Sequence, residues 1–580
     1  MCGIVGYIGG REAAPLILEG LRKLEYRGYD SFGIATLGSG IELDKHQGRI
    51  SEYAGMVPLH GTAGIGHTRW ATHGIPNDTN AHPHMDCKNQ IALVHNGIIE
   101  NFAELKKELR ERGHTFKSET DTEVIVHLIE EQREKTPDLL SAVQQTLPRL
   151  KGSYGILVIA EGEDCVIAAR NGSPLVLGIG DREFFAASDM TPVLEYTERA
   201  VFLEDGDVAR LTRTGVEIFN GREPVKRSVE LIDWSLEDVK KGGFAHYMLK
   251  EIYEQPQAFF NTVRAVDKNS LPPFVKEARS ATIVACGSSY HAGLIARYLF
   301  EESCGIPVRL EFASEFKYYP PPIEDLVIGI TQSGETADTL AALKLARLHN
   351  CRTLAVTNVL GSSVCRVADA TLFMRAGPEI SVAATKSFVA QLAVLMQIIN
   401  VRAEGKFDDV LLHAHQAIED VLLRDFSEPV ALCKNAESIF YVGRGPFYPV
   451  SLEGALKMKE ISYIHAEGYA AGELKHGPFA LLSSKTPAIA ICMPGETYGV
   501  MVSNIKEMKA RGAPVVAIGC EGDGELSDIA DCFIPLKKTA PFAQVLTTLV
   551  VLQLLAYYTA VALGRDIDKP RNLAKSVTVE

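Results

Sequence analysis

The sequence predicts an α+β domain followed by two α/β domains, each a doubly wound parallel sheet covered by helices. Three observations lead there. Roughly the first two hundred residues are rich in short apolar runs, among them IALVHNGII, YGILVIA, DCVIAAR and SPLVLGIG. Gly, Asn and Asp turns separate these runs, which is the pattern of packed sheets. Beyond residue 246, short apolar strands alternate with helical stretches, as a parallel sheet requires. That second half also repeats itself: ATIVACGSS around Gly287 returns as SIFYVGRGP around Gly443, Gly334-Glu335-Thr336 as Gly495-Glu496-Thr497, and Ala368-Asp369 as Ala530-Asp531. One element order kept at an offset of about 160 residues marks a duplicated domain.

Taken in order, the first part carries helical stretches over 13–24 and 119–133 among its strands. Residues 220–245 are polar, charged and closed by Gly242-Gly243, so they read as a linker. The expected domains are therefore 2–219, a linker 220–245, 246–425 and 426–565, with 566–580 as a terminal tail. Residues 540–564 contain no charged side chain but do contain Gln544, Gln553, Tyr557 and Tyr558. A membrane span is more uniformly apolar, so the reading is a helix buried among other elements.

Composition narrows the function classes. With 46% hydrophobic and 23% charged residues, the chain of 580 is of ordinary globular type. Its 73 acidic against 59 basic residues give a net charge of −14, which argues against a nucleic-acid or membrane-surface binder. The 11 cysteines are odd in number and form no C-x-x-C pair, the usage of a reducing compartment. A cytoplasmic location is the expectation.

Cys2 directly follows the initiator methionine. Once methionine is removed, its own α-amine, with a pKa of about 7.7–8.0, can take the thiol proton and make a self-contained nucleophile. In Gly66-His67-Thr68-Arg69-Trp70-Ala71-Thr72-His73-Gly74 a guanidinium able to fork a carboxylate stands near a hydroxyl and an imidazole. Val94-His95-Asn96-Gly97 ends an apolar run with an amide beside a glycine, the donors an oxyanion needs. Thr120 and Glu123 fit a helix capping box, and Asp121 between them could hold an amino group. His67, His73, His82, His84 and His95 crowd this part of the chain, but no H-E-x-x-H is present and no cysteine or carboxylate lies beside them at ligand spacing. No metal is expected there.

Together CGIVGYIG, LEYRGYDSFGIA, HTRWATHG, NAHPHMD, VHNGIIEN and SETDTEV resemble the glutaminase domain of the N-terminal-nucleophile amidotransferases. The resemblance implies a four-layer αββα fold. It also implies that Cys2 attacks the glutamine amide and releases ammonia, while Asn96 and the Gly97 N–H hold the oxyanion. Arg69, Thr72, His73 and Asp121 would bind glutamine, and Trp70 would gate the passage of ammonia.

In the second half, DLVIGITQSGETADTL reads as a buried strand, a hydroxyl-rich turn and a helix, an anion site at the carboxyl edge of a parallel sheet. Thr331, Ser333 and Thr336 supply hydroxyls, Gln332 an amide, and the turn CGSSYHAG adds Ser288 and Ser289. No Walker lysine is present, which argues against a nucleoside triphosphate. CGSSY with TQSGET and a duplicated partner resembles the sugar isomerase family that binds phosphosugars, and LEGALKMKEISYIHAE, GYAAGELKHGPFAL and DKPRNLAKSVTVE strengthen the match.

Joined end to end, the two halves resemble the glutamine-dependent aminotransferases that act on a ketose phosphate. That resemblance implies glutamine and fructose 6-phosphate as substrates, glutamate and glucosamine 6-phosphate as products, no cofactor, and a homodimer sharing the isomerase site. It implies His476 from the neighbouring subunit for ring opening, Glu460 for the proton moved between C1 and C2, and Lys575 for an imine with the opened sugar. Lys457, on the same helical face as Glu460, would polarise a sugar hydroxyl. Ala384 stands where the pattern often has serine, removing one hydroxyl from that loop. A phosphosugar sensor would need the TQSGET turn but not Glu460, His476 or Lys575. Phosphoribosylpyrophosphate and asparagine-forming amidotransferases would leave the duplicated domains unexplained.

Overall fold

The computed structural model describes residues 2–53, 58–71, 73–232, 240–266, 269–320 and 325–578. It divides into two compact units, Met1–Val239 with Gly361–Ser363 and Ser576–Glu580, and Lys240–Leu360 with Val364–Lys575.

The first unit holds two antiparallel sheets. In the eight-stranded sheet, Gly3–Ile8 lies between Phe184–Ala187 and Ala63–Arg69. In the seven-stranded sheet, Ile91–Ile99 pairs with Gly152–Ala160. Strand alternation decides which side chains fill which layer. From Ile91–Ile99, Ala92 and Val94 face Ile4, Ile8 and Ile65 of the other sheet. Ile91 and Leu93 face the opposite way, onto Leu105, Leu109, Val124 and Leu128 of the helices Phe102–Glu111 and Glu123–Arg133. The helix Ala13–Lys23 covers the outer face of the eight-stranded sheet. A Cβ on Gly66 would stand 2.4 Å from Ile17 and 2.9 Å from Leu21, so only glycine lets that helix approach. The layers are therefore αββα.

The expected helix over 119–133 begins later, at Glu123. The reason is that Glu123 does not close a capping box with Thr120. Its carboxylate accepts from the backbone N–H groups of Lys117 and Ser118, both at 2.7 Å. The Thr120 hydroxyl instead meets His84 Nε2 at 3.0 Å. Residues 117–122 are thereby held in an extended turn that carries Asp121. Of the stretch 220–245, Glu223–Val225 and Glu230–Leu231 form edge strands of the two sheets, and 233–239 lie outside the described residues.

The second unit holds two five-stranded parallel sheets of identical strand order. In each, the first strand in sequence lies second in space, flanked by the second and third, with the fourth and fifth beyond. Each first strand, Ala281–Ala285 or Ser438–Gly443, feeds a long helix, Gly287–Cys304 or Phe447–Ser462. Helix Pro541–Ala562 is long and apolar enough to cross a membrane by composition. Most of its side chains, Gln544, Thr548 and Gln553 included, are instead buried in this unit's core among Phe259, Ile418, Val450 and Met458. Its internal hydroxyls bond back to helix carbonyls, Thr548 to Gln544 at 2.7 Å and Thr559 to Leu555 at 2.7 Å, which satisfies them without water.

Candidate active sites

In the first unit the strand Gly3–Ile8 delivers Cys2 to the end of the strand that carries Arg69. The Trp70 N–H donates to Cys2 Sγ at 3.2 Å, and the thiol faces the Trp70 carbonyl at 3.6 Å. Burial pushes the Cys2 thiol pKa up, so attack as thiolate requires a base at hand. Asn96 donates from Nδ2 to the Cys2 carbonyl at 2.9 Å, and its Oδ1 is fixed by His67 Nε2 at 3.1 Å. One N–H of that amide therefore remains for a ligand. Gly97 has φ +131°, and a Cβ there would stand 2.0 Å from the Ser153 carbonyl, so the position requires glycine.

Arg69 donates to the carbonyls of His73 and Gly74, while its Nη1 is buried without a hydrogen-bond partner among the described residues. Burial lowers its pKa against the charges of Cys2, Asp30 and Asp121, which places those three groups in one neighbourhood. An unpartnered buried guanidinium N–H is costly unless a ligand takes it; a carboxylate fits. His73 has its Nδ1 buried without a hydrogen-bond partner among the described residues. Asp121 is buried, with Oδ2 accepting from the Ile99 N–H at 2.8 Å. Trp70 stands edge-on to Tyr29, with ring centroids 5.5 Å apart. Thr72 lies outside the described residues.

The crowded histidines are mostly core groups. His67 stacks on His82 at 4.2 Å, and His82 meets His84 edge-on. Burial, reinforced by neighbouring positive charge, pulls His67 down to about 3 and His82 and His84 well below their ordinary value. Burial lowers His95 as well. In the unfolded chain the same rings take protons near pH 6.5. Unfolding therefore binds protons in the window from about 6.5 down toward 3, and stability present above it is lost as pH falls. Trp70 belongs to the first unit, so its fluorescence reports unfolding there. The thermal midpoint by that signal is expected to fall as pH drops from about 7 to about 5; a midpoint that stays level would show that these rings are not held neutral.

The second unit brings together groups from both of its sheets. On helix Phe447–Ser462, Lys457 is buried and pairs with Glu460 at 2.5 Å and with Glu453 at 3.5 Å. Lys459 on the same helix faces solvent. From helix Gly287–Cys304, Ser288 accepts from Lys457 Nζ at 3.1 Å and donates to Glu453 at 2.8 Å, while His291 meets Glu453 at 2.7 Å. Burial alone would lower Lys457, but Glu460 and Glu453 outweigh it and raise its pKa. Burial would raise Glu453, and Lys457 with His291 lowers it instead. The result is a buried Lys457–Glu453 pair with the half-buried Glu460 beside it, whose charges are mutually dependent.

Lys575 reaches Glu379 at 2.5 Å and the Ser381 carbonyl at 2.8 Å. The loop around Ala384 wraps the same carboxylate: the N–H groups of Thr385 and Ser387 donate to it at 2.9 and 3.0 Å. Burial pushes Glu379 up, yet the Lys575 charge more than reverses this and leaves it at about 2. Glu251, beside Glu379, is driven up to about 8 by burial and by that second carboxylate. In the turn at 331–336, Thr331 Oγ1 accepts from the Gly334 N–H at 3.2 Å and lies 2.8 Å from the Thr336 hydroxyl. The Glu335 N–H donates to the Ser333 hydroxyl at 3.2 Å, and the Gln332 carbonyl accepts from the Asn358 N–H at 3.0 Å. Ser289 accepts from Gln391 at 2.9 Å. His476 stands exposed at the end of a short 3₁₀ turn, without a hydrogen bond to the Lys457 cluster among the described residues.

Glu251, Glu379, His291 and Gln391 were not legible in the sequence. Glu379 meets Lys575 from nearly two hundred positions away, and no local spacing signals such a pair.

Comparison with known proteins gives consistent matches. The SIS domain family matches residues 274–401 and 432–563, and the glutamine amidotransferase domain family matches 67–195. The chain is 47% identical over 608 aligned residues to glutamine–fructose-6-phosphate aminotransferase (isomerizing) of Thermococcus kodakarensis, and 46% over 615 to that of Chlorobaculum tepidum, each covering the whole of both chains. Among solved structures, the C-terminal domain of glucosamine-fructose-6-phosphate aminotransferase from Francisella tularensis is similar at 34% identity and a TM-score of 0.52, covering 57% of this chain and 99% of that one.

Proposed function

This chain belongs to the glutamine–fructose-6-phosphate aminotransferase (isomerizing) family, and from that membership we propose how its residues carry out the reaction. The enzyme converts fructose 6-phosphate and glutamine into glucosamine 6-phosphate and glutamate. One observation carries the reading: a chain with a thiol at position 2 beside an Arg69 N–H that has no hydrogen-bond partner among the described residues also buries Lys457 between Glu453 and Glu460 in a duplicated phosphosugar fold.

Cys2 sulfur adds to the side-chain amide of glutamine while Asn96 Nδ2 and the Gly97 N–H stabilise the oxyanion. Ammonia leaves, and water hydrolyses the thioester to glutamate. Arg69 takes the substrate carboxylate, Asp121 its ammonium, and Thr72 and His73 line the pocket, with Trp70 controlling ammonia exit. In the second unit Ser289, Thr331, Gln332, Ser333 and Thr336 hold the sugar phosphate at a helix N-terminus. His476 of the partner subunit opens the ring, so a homodimer is required. Lys575 leaves Glu379 to form an imine at C2, and ammonia displaces it. Glu460 then takes a proton from C1 and returns it to C2, with Lys457 fixing the carboxylate and polarising a hydroxyl. Neither step calls for a redox group. Eleven cysteines with no C-x-x-C pair among them fit a cytoplasmic setting.

The test is a stoichiometry of glutamate and glucosamine 6-phosphate formed from glutamine, with and without fructose 6-phosphate. One amino sugar per glutamate is expected when the ketose is present. Glutamate formed without amino sugar would refute the synthase reading and leave a glutaminase joined to a phosphosugar sensor.

A further inference from the structure

A second constellation in the first unit lies outside the glutaminase residues. Cys87, His114, His127 and Glu130 each offer one ligand atom, and these four atoms all lie within 4.8 Å of one another. Cys87 Sγ is 3.6 Å from His114 Nδ1 and 3.6 Å from His127 Nδ1. Glu130 Oε2 is 3.0 Å from each of the same two nitrogens. Ligands at ordinary zinc distances, about 2.3 Å for sulfur and about 2.0 Å for nitrogen and oxygen, stand about 3.5 Å (S···N) and about 3.3 Å (N···O) apart on a tetrahedron. The observed separations approach that figure.

Hydrogen bonding among the four does not account for them equally well. Each Nδ1 carries at most one proton, so neither ring can donate to both the sulfur and the carboxylate it faces. The four atoms instead face one another across a space no wider than 4.8 Å. Behind the rings, the opposite nitrogens are turned toward carboxylates: His114 Nε2 is 3.5 Å from Glu131, and His127 Nε2 is 3.8 Å from Glu123. A carboxylate behind the ring is the usual support of a metal-bound histidine, because it can fix the proton on the outer nitrogen; the His127–Glu123 separation is too long for a hydrogen bond and is an electrostatic contact only.

The backbone also pre-places the ligands. His127 and Glu130 are three apart on helix Glu123–Arg133 and share one face. His114 follows the glycine turn that ends helix Phe102–Glu111, where its N–H donates to the Leu109 carbonyl at 3.0 Å. Cys87 sits in a hairpin turn held by the Asp86 carboxylate, which accepts from the N–H groups of Gln90 and Ile91 at 2.6 and 2.9 Å. Cys87 is exposed, so an ion has a way in.

We propose that Cys87, His114, His127 and Glu130 bind one zinc ion in a structural site. The thiolate, two neutral imidazoles and one carboxylate complete four-coordination, leaving no open position for catalysis. On binding, the Cys87 S–H bond breaks and its proton passes to solvent, while each ring keeps its proton on Nε2. The ion would tie the hairpin at 86–90 and the turn at 112–114 to the helix that follows Asp121. The histidine motifs near the glutaminase residues did not suggest this site, because its members are spread over three segments and share no motif.

The experiment uses the full chain. Metal content is measured after expression with zinc and gel filtration, and cobalt(II) is added to metal-stripped protein. About one zinc per chain is expected, with the intense visible bands of tetrahedral cobalt(II) and a near-ultraviolet thiolate band. Cys87→Ser, a change at an exposed turn, is expected to bind zinc at least about 10-fold more weakly and to lose the thiolate band. A chelator should lower the thermal midpoint of the parent chain and not that of Cys87→Ser or His127→Gln. Absence of zinc and cobalt uptake would overturn the proposal. So would uptake that Cys87→Ser and His127→Gln leave unchanged, since the ion would then sit elsewhere.

Discussion

Cys2→Ala is expected to lose glutamine hydrolysis by on the order of 10⁶-fold, the scale of deleting a nucleophile. Among the described residues the thiol's hydrogen bonds are with Trp70, through the N–H at 3.2 Å and the carbonyl at 3.6 Å, so its removal breaks no buried network there. Fold and sugar-phosphate binding should therefore stay intact. A second variant isolates the base. Burial raises the thiol pKa, and the α-amine that appears when methionine is removed is the group placed to take its proton. A short N-terminal extension that blocks this removal is expected to reproduce the loss with Cys2 still present. Glutaminase activity retained in Cys2→Ala would sink the nucleophile assignment. Activity retained only in the extended chain would leave the thiol and discard the amine.

The second large effect concerns Lys575, whose side chain is 6% exposed and paired with the wholly buried Glu379. Lys575→Met leaves that carboxylate without its cation, a break that costs about 3–5 kcal/mol for a buried pair. The three donors from Thr385 and Ser387 that remain on Glu379 should hold the loss to the lower end. Lys575→Met is also expected to form no glucosamine 6-phosphate. Lys575→Arg separates the two roles. It restores the charge, and with it most of the thermal midpoint, but a guanidinium does not form the imine, so synthesis should stay absent. If Lys575→Arg makes product at the parent rate, the imine role is wrong and the residue is only a partner of Glu379. The same pair predicts an acid limb. Glu379, at about 2, binds protons more weakly in the folded than in the unfolded chain. Its contribution to stability is therefore present above about pH 4.3 and lost as pH falls toward 2.

The layered first unit and the two parallel-sheet domains were legible because their causes are local. Ile91, Leu93 and their alternating neighbours Ala92 and Val94 state by period which residues face each layer. The repeated strand, glycine and helix around Gly287 and Gly443 state the duplication. The buried reading of 540–564 likewise follows from composition, and helix Pro541–Ala562 packs in the second unit's core. The capping-box reading of Thr120 and Glu123 failed for an equally physical reason. A box closes only if no better donor competes, and the N–H groups of Lys117 and Ser118 took the Glu123 carboxylate.

What the sequence by itself determined is the chemistry on offer: a cysteine at position 2, an arginine and an asparagine ending apolar strands, a hydroxyl turn before a helix, and a lysine near the C-terminus. Residue type and near-neighbour spacing carry that information. What only the tertiary structure decided is which groups are ionised and against whom. Glu379 is held charged and Glu251 nearly neutral although the two are neighbours in space. Lys457 shares its charge between Glu453 and Glu460 and reaches Ser288 on another helix. Cys87 meets His114 from one turn and His127 with Glu130 from a helix further along the chain. Burial and long-range pairing set those states, and neither is a property of a residue and its neighbours along the chain.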